Sequence, residues 1–246
     1  MTDYADNDGT GVRADQMNVS ENLKQRIVGQ SMTDRVYDAI LAMILKLDIK
    51  PREKLSEIQL SKELGVSRTP VREAFLRLES LGLLDIVPQR GTIVAPMRDA
   101  EFRKSQFMRE AFELALVRRA VELEDNTELC KALDRELKLQ TVHSELADEN
   151  SFFESDEAFH EAIAVHCGLA EIWPEVQRVK MHMDRFRYAI RSQRETPTIL
   201  DQHRRIAEAI CNRNESEALA AMTVHLRRAN HLISDAAKEH PEFFDI

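Results

Sequence analysis

The stretch LSEIQLSKELGVSRTPVREAFLRLESLGLL, residues 55–84, decides how this chain folds. Ser56 is placed to cap a short helix that runs through Leu60 and Leu64 to Gly65. Gly65 and Val66 make a turn, and Ser67 can cap a longer helix. In that helix Val71, Ala74, Phe75, Leu78 and Leu81 share one apolar stripe, closed by Gly82. Pro70 falls in its first turn, where a missing N–H costs little. Downstream, LLDIV and TIVAP read as two short strands around Pro88-Gln89-Arg90-Gly91, a hairpin. Upstream, Val36, Ile40, Met43, Ile44 and Leu47 recur at helical steps from Ser31 until Pro51. Three helices, a tight turn before the third and a hairpin behind it predict a winged helix-turn-helix over residues 31–97.

Such a unit needs a rigid helix whose exposed side enters the major groove. Arg68, Thr69 and Arg72 lie opposite the apolar stripe near the start of the third helix. Arg68 and Arg72 are four apart, so both guanidinium groups leave the same face, each able to grip a guanine edge or a phosphate. Ser67 and the free N–H groups of that helix end suit a phosphate. The tip Gln89-Arg90-Gly91 brings a cation to where a wing meets DNA. The blander reading has the arginines merely solvated, and for Arg77 an i,i+4 pair with Glu73 is the better account.

Working outward, residues 98–246 carry a helical pattern throughout, with spans at 99–124, 127–148, 151–167, 170–193, 198–212 and 215–238. Short connections predict a six-helix antiparallel bundle, so the chain is mainly α. Residues 1–30 are rich in Asp, Asn and Gly, and read as largely disordered and unlike a secretory signal. The net charge of −9 is the wrong sign for a nucleic-acid binder until it is divided by region. Residues 31–97 hold ten Lys/Arg against nine Asp/Glu, whereas 98–246 hold 21 against 29, so the acidity lies mainly in the helical part. No apolar run is long enough to span a bilayer. Cys130, Cys167 and Cys211 are scattered and odd in number, which predicts a reduced, cytoplasmic chain without structural disulfides.

Four polar residues of the helical part fall on apolar faces. Asp156 and His160 sit among Phe152, Phe159 and Ile163; His203 lies between Ile199 and Ile206; His225 follows Ala218, Ala221 and Met222. A carboxylate among phenylalanines is costly unless something positive meets it. Three imidazoles and a carboxylate from three helices suit a divalent cation, zinc first and nickel or manganese next. A single such histidine is more often a hydrogen-bonded core residue, and His143, His166, His182, His231 and His240 are read that way.

LGVSRTPVREAFLRLESLGLL followed by PQRGTIV resembles the winged helix of GntR-family regulators, and LSEIQLSKELGVSRTPVREA runs in register with that family's pattern. The resemblance implies DNA contact by Ser67, Arg68, Thr69 and Arg72, with the wing at Gln89, Arg90 and Gly91. It departs at Leu47 and Arg52, where glycines are frequent in the family, and at Ile58. The pattern Asp156-x3-His160, then His203-RRIAEAI, then AMTV-His225-L resembles the ligand-binding (FCD) domain of the FadR-type branch, and six helices look most like its VanR-type subgroup. This implies that Asp156, His160, His203 and His225 hold a metal whose coordination a small carboxylate effector can complete. REAFE, residues 109–113, matches the family's first bundle helix, so Arg109 is the candidate for the effector carboxylate with Glu113 as a buried partner. Arg187 is a further candidate, although a surface arginine is the plainer reading of RFRYAIR. Gly168-Leu169 replaces a common Gly-Asn, a change that bears on the effector class.

Three functions compete. The first is a ligand-responsive regulator, read as a repressor, binding a near-palindromic operator on double-stranded DNA as a homodimer. The second is a metalloenzyme, but Glu157-Ala-Phe-His160 is a lone ExxH, and HExxH, GxSxG and phosphate-loop motifs are missing. The third is a dimerisation module with an empty polar cluster.

Overall fold

The structure, a computed structural model, describes residues 31–87, 91–189 and 196–245. The expectation of disorder over residues 1–30 lies outside them. Helix α1, Met32–Leu45, starts with a reciprocal cap. Ser31 Oγ accepts from the Asp34 backbone N–H at 3.1 Å, and the Asp34 carboxylate accepts from the Ser31 N–H at 3.3 Å. Its Val36, Ile40 and Ile44 are buried. Helix α2, Glu57–Glu63, is capped by Ser56, as its sequence predicts. Helix α3, Arg68–Ser80, buries Val71, Ala74, Phe75 and Leu78 against α1; Ser67 stands at its N-cap position without a side-chain bond.

Strands β2, Leu84–Val87, and β3, Gly91–Val94, pair antiparallel with Leu84 opposite Val94 and Val87 opposite Gly91. A further strand, β1 at Lys54–Leu55, adds to the other edge of β3 in the order β1-β3-β2. Two residues are too few to display an alternating pattern, so β1 left no trace in the sequence. Arg77 also differs from expectation. It reaches Asp34 at 2.7 Å and lies over the Tyr37 ring at 4.0 Å, while Glu73 accepts from Thr33 at 2.7 Å. Both side chains therefore turn to α1 rather than to each other.

The helical part comprises α4 Asp99–Val121, α5 Thr127–Glu145, α6 Glu149–His166, α7 Trp173–Ala189, α8 Thr196–Cys211, α9 Glu215–Arg227 and α10 Ala229–Glu239. All six expected helices are present, the last of them divided at Arg228. Leu116, Val117, Leu133, Phe159, Ile206 and Met222 are among the residues that build its core. Among the described residues no helix is long and apolar enough to cross a membrane.

The cysteine reading is corrected. Cys130 in the first turn of α5 is disulfide-bonded to Cys211 at the end of α8, with Cα atoms 5.8 Å apart, and Cys167 is free and buried. Beside the disulfide, Asn126 Nδ2 donates to the Ile210 carbonyl at 3.1 Å. That proximity is tertiary, and a spacing of 81 residues does not announce it.

Two side chains of α7 grip the winged part. His182 Nε2 donates to the Leu81 carbonyl at 2.9 Å, and the buried Arg185 donates from Nη2 to the Ala95 carbonyl at 2.6 Å. Burial holds the His182 ring below its usual pKa, although the bond to the Leu81 carbonyl works the other way.

Candidate nucleic-acid interface and metal centre

The apolar stripe of α3 turns inward, so its opposite side faces solvent. Ser67, Arg68, Thr69 and Arg72 are all exposed there. Arg68 is 64% exposed at its side chain and meets Glu57 of α2 at 3.2 Å, a contact its sequence spacing did not reveal. Gly91 opens β3 at φ +93° with open space where a β-carbon would stand. Gln89 and Arg90, the rest of the expected wing tip, lie outside the described residues.

The four polar residues singled out on apolar faces converge. Asp156 and His160 come from α6, four residues apart and so on one face; His203 comes from α8 and His225 from α9. All four are buried, and one candidate ligand atom from each lies within 4.8 Å of the others. His160 Nε2 is 3.2 Å from His225 Nε2, which is 3.4 Å from His203 Nε2, and His203 Nε2 is 3.6 Å from Asp156 Oδ1. Ligands about 2.0–2.1 Å from a tetrahedral zinc ion would stand roughly 3.3–3.4 Å apart. The spacing fits.

Each ring is turned by a partner on its other nitrogen. His203 Nδ1 donates to Gln140 Oε1 at 2.8 Å, His225 Nδ1 to Gln202 Oε1 at 3.1 Å, and Glu113 Oε2 sits against His160 Nδ1. A proton fixed on Nδ1 leaves the Nε2 lone pair facing the centre, the arrangement a ligating imidazole needs. The Phe159 ring stacks on His203 at 4.3 Å and limits its rotation. Burial lowers the His203 pKa to about 3 despite nearby Asp156, and burial with the two neighbouring rings lowers that of His225 well below the usual value. Both rings are neutral at physiological pH. Burial works against ionisation of Asp156, but the Arg187 guanidinium beside it outweighs burial and holds the carboxyl well below its ordinary range.

Arg109 and Glu113, also four apart, form a buried pair at 2.6 Å. Burial would raise the Glu113 pKa, yet Arg109 and His160 bring it down to about 2. Arg187 corrects the plainer reading of RFRYAIR as a surface site. Its side chain is 15% exposed, donates to Asp156 Oδ2 at 2.8 Å and lies over Phe153 at 4.7 Å. Arg109, Asp156, Arg187, His225 and Arg228 line a cavity of about 50 Å³, room for a carboxylate-sized group. Arg187 also borders a larger cavity of about 630 Å³ between α1, α6 and α7, where buried Lys180 pairs with Glu157 at 2.6 Å and Asp184 at 2.8 Å. None of the four cluster residues lines that larger space.

Gln140 and Gln202 were missed in the sequence. For Gln140 a signal existed: Leu129, Leu133, Glu136 and Gln140 recur along the buried stripe of α5, which puts an uncharged amide at a core position. Gln202 precedes His203 and carried no such mark.

Residues 32–94 match the family described as bacterial regulatory proteins, gntR family, and residues 106–228 match the FCD domain. The chain is 33% identical over 218 residues to the HTH-type transcriptional repressor RspR of Escherichia coli (strain K12), covering 87% of this chain and 94% of that protein. The solved structure of E. coli McbR/YncC superposes with a TM-score of 0.69 at 20% identity, over 86% of this chain and 99% of the other. A putative transcriptional regulator GntR from Rhodococcus sp. RHA1 gives 0.67 at 22%, over 83% and 99%. These two likenesses speak for the fold alone.

Proposed function

Because this chain belongs to the GntR family of bacterial regulatory proteins and carries an FCD domain, we propose that it is a repressor whose hold on DNA is set by a small carboxylate at a buried metal centre. It is a transcription regulator, not an enzyme. The observation that carries the proposal is the convergence of three Nε2 atoms and one carboxylate oxygen, each ring turned by its own partner. We assign the metal to Asp156, His160, His203 and His225, with zinc the first choice and nickel or manganese next. When bound, the ion supplies a Lewis-acidic position to which a carboxylate oxygen can bond.

Arg109 and Arg187 border the cavity beside that cluster and supply the positive field a carboxylate needs. Glu113 neutralises Arg109 and orients His160, so it acts on the ligand through both. DNA contact is assigned to Ser67, Arg68, Thr69 and Arg72, with the wing at Gln89, Arg90 and Gly91, and the division between the two units to about residue 97. A homodimer would place two α3 helices about one DNA turn apart on a near-palindromic operator. Phe107 and Val224, 76% and 62% exposed on the packed helices α4 and α9, supply apolar surface for the second copy. The compartment proposed is the cytoplasm, where the DNA is.

A thermal-shift screen of organic and sugar acids against zinc-loaded protein tests this reading. At least one acid should stabilise the wild-type chain and lose that effect after metal extraction or in Arg109→Met. A response that survives both changes would refute the site. A second expectation concerns Gln140. In Gln140→Leu the His203 ring loses its acceptor while the four ligands remain, and metal affinity should fall by about 10–100-fold in competition with a chromophoric chelator. Unaltered affinity would show that Gln140 merely fills space.

A further inference from the structure

Leu47 and Arg52 have left-handed backbone, with φ at 61° and 68°, a conformation that a β-carbon penalises and glycine adopts freely. Both side chains reach the same place. Arg52 donates from Nε to the Glu242 carbonyl at 3.2 Å and from Nη2 to the Phe244 carbonyl at 2.7 Å, and meets Asp245 at 3.3 Å. Leu47 packs on the cluster of Met97, Phe102, Met183, Phe186, Phe243 and Phe244. The grasped segment is the end of the chain. It runs as a parallel bridge beside Met97, whose N–H donates to the Phe243 carbonyl at 2.8 Å and whose carbonyl accepts from the Asp245 N–H at 3.1 Å. Asp245 also faces Arg98, which pairs with Asp85 of β2 at 3.1 Å.

At its other end the same segment begins inside the ligand pocket. His225, Leu226, Arg228 and Ala229 border the small cavity, and α10 starts at Ala229. Arg228 keeps helical torsions, φ −55° and ψ −37°, and its N–H bonds to the Val224 and His225 carbonyls. The junction thus keeps helical backbone without slack, and a shift in the last turn of α9 is passed to α10. Ile233, Ala236 and Ala237 of α10 pack in the cluster with Met183 and Phe186 before the chain turns at Pro241–Phe243 toward Arg52.

We propose that residues 229–245 form an arm that carries the state of the metal-and-carboxylate pocket to the DNA-reading unit, with Arg52 as the positioning residue that holds its far end. This rests on the reading of the pocket given above. The physical basis is continuity: a rigid helix joined to a metal-ligand helix at one end and hydrogen-bonded to the winged part at the other. The competing route runs through α7, where Arg187 touches Asp156 while His182 and Arg185 hold Leu81 and Ala95.

Hydrogen exchange of the full chain, metal-stripped against zinc-loaded, separates the two routes, with calorimetry reporting zinc binding. In the wild-type chain zinc should slow exchange in peptides from α9, from 95–99 and from α3 by about fivefold, the low end of ordinary coupling between sites. Arg52→Gly relieves the backbone cost while removing the grip, and Arg52→Asn tolerates the same torsions with a side chain too short to reach. Both variants should bind zinc like the wild type and keep the response in α9. The response in 95–99 and α3 should disappear. A winged-unit response of wild-type size in both variants would overturn the arm with Arg52 as its hold while leaving the pocket intact. Zinc that binds the wild-type chain but alters exchange only in α9 overturns the arm alone. Failure of the wild-type chain to bind zinc overturns the pocket reading and the arm with it.

Discussion

Extracting divalent metal from this protein should lower its thermal midpoint by roughly 8–16 °C, and added zinc should restore it. The magnitude follows from linkage. A ligand held about a thousandfold above its dissociation constant stabilises the folded chain by about 4 kcal/mol. For 150–250 residues each kcal/mol moves the midpoint by about 2–4 °C. The His203→Ala variant supplies the control. It will be less stable than the wild type for reasons unrelated to metal, because His203 is fully buried and its removal leaves a void and a Gln140 Oε1 without its donor. The informative quantity is therefore the difference between metal-loaded and metal-stripped samples within each protein, and in His203→Ala it should nearly vanish. An equal shift in both proteins would place the ion elsewhere. Wild-type protein that retains no stoichiometric metal and shows no shift would leave the cluster as a polar core. The geometry argues against that second outcome. The Nε2 atoms are 3.2 and 3.4 Å apart along the His160–His225–His203 chain, and with the Nδ1 protons of His203 and His225 given to Gln140 and Gln202 those two rings have no hydrogen left to share. Such a cluster is poorly satisfied until a Lewis acid enters it.

Reading from sequence succeeded where one local pattern fixed one local structure. The stripe Val71, Ala74, Phe75 and Leu78 determines which side of α3 is buried, and hence that Arg68 and Arg72 are left outside. Asp156, His160, His203 and His225 were legible because each breaks an apolar period, and four such breaks in helices of one bundle must face its shared interior. Features with no periodic signature were lost. Arg187 looked solvent-facing because it sits in a charged stretch, yet Asp156 and Glu157 draw it inward. The break between α9 and α10 at Arg228 has neither proline nor glycine to announce it. Cys130 and Cys211 meet only because two helices end side by side. Leu47 and Arg52 stand out in the sequence only as departures from glycine, because their positive φ and their hold on the chain's end are set by tertiary contacts.

Replacing both Arg68 and Arg72 by alanine should weaken binding to the operator, identified by selection from random duplexes, by about 2–6 kcal/mol, since each base-reading arginine contributes about 1–3. The two will not contribute equally. Arg72 is exposed, whereas Arg68 must first release Glu57, which it meets at 3.2 Å. An exposed pair of this kind is worth about 0–1 kcal/mol. Arg72→Ala should thus cost more than Arg68→Ala, and Glu57→Gln should strengthen binding by up to about fivefold by setting Arg68 free. The two variants lie four residues apart, so their costs need not add, and the double variant measures that coupling. Salt dependence then separates base reading from phosphate clamping. Loss of a phosphate contact flattens the plot of log affinity against log salt by about 0.9 and weakens all sequences alike. Loss of a base contact keeps the slope but relaxes the preference at one operator position. Full affinity in the double variant would mean that the exposed side of α3 does not face DNA at all.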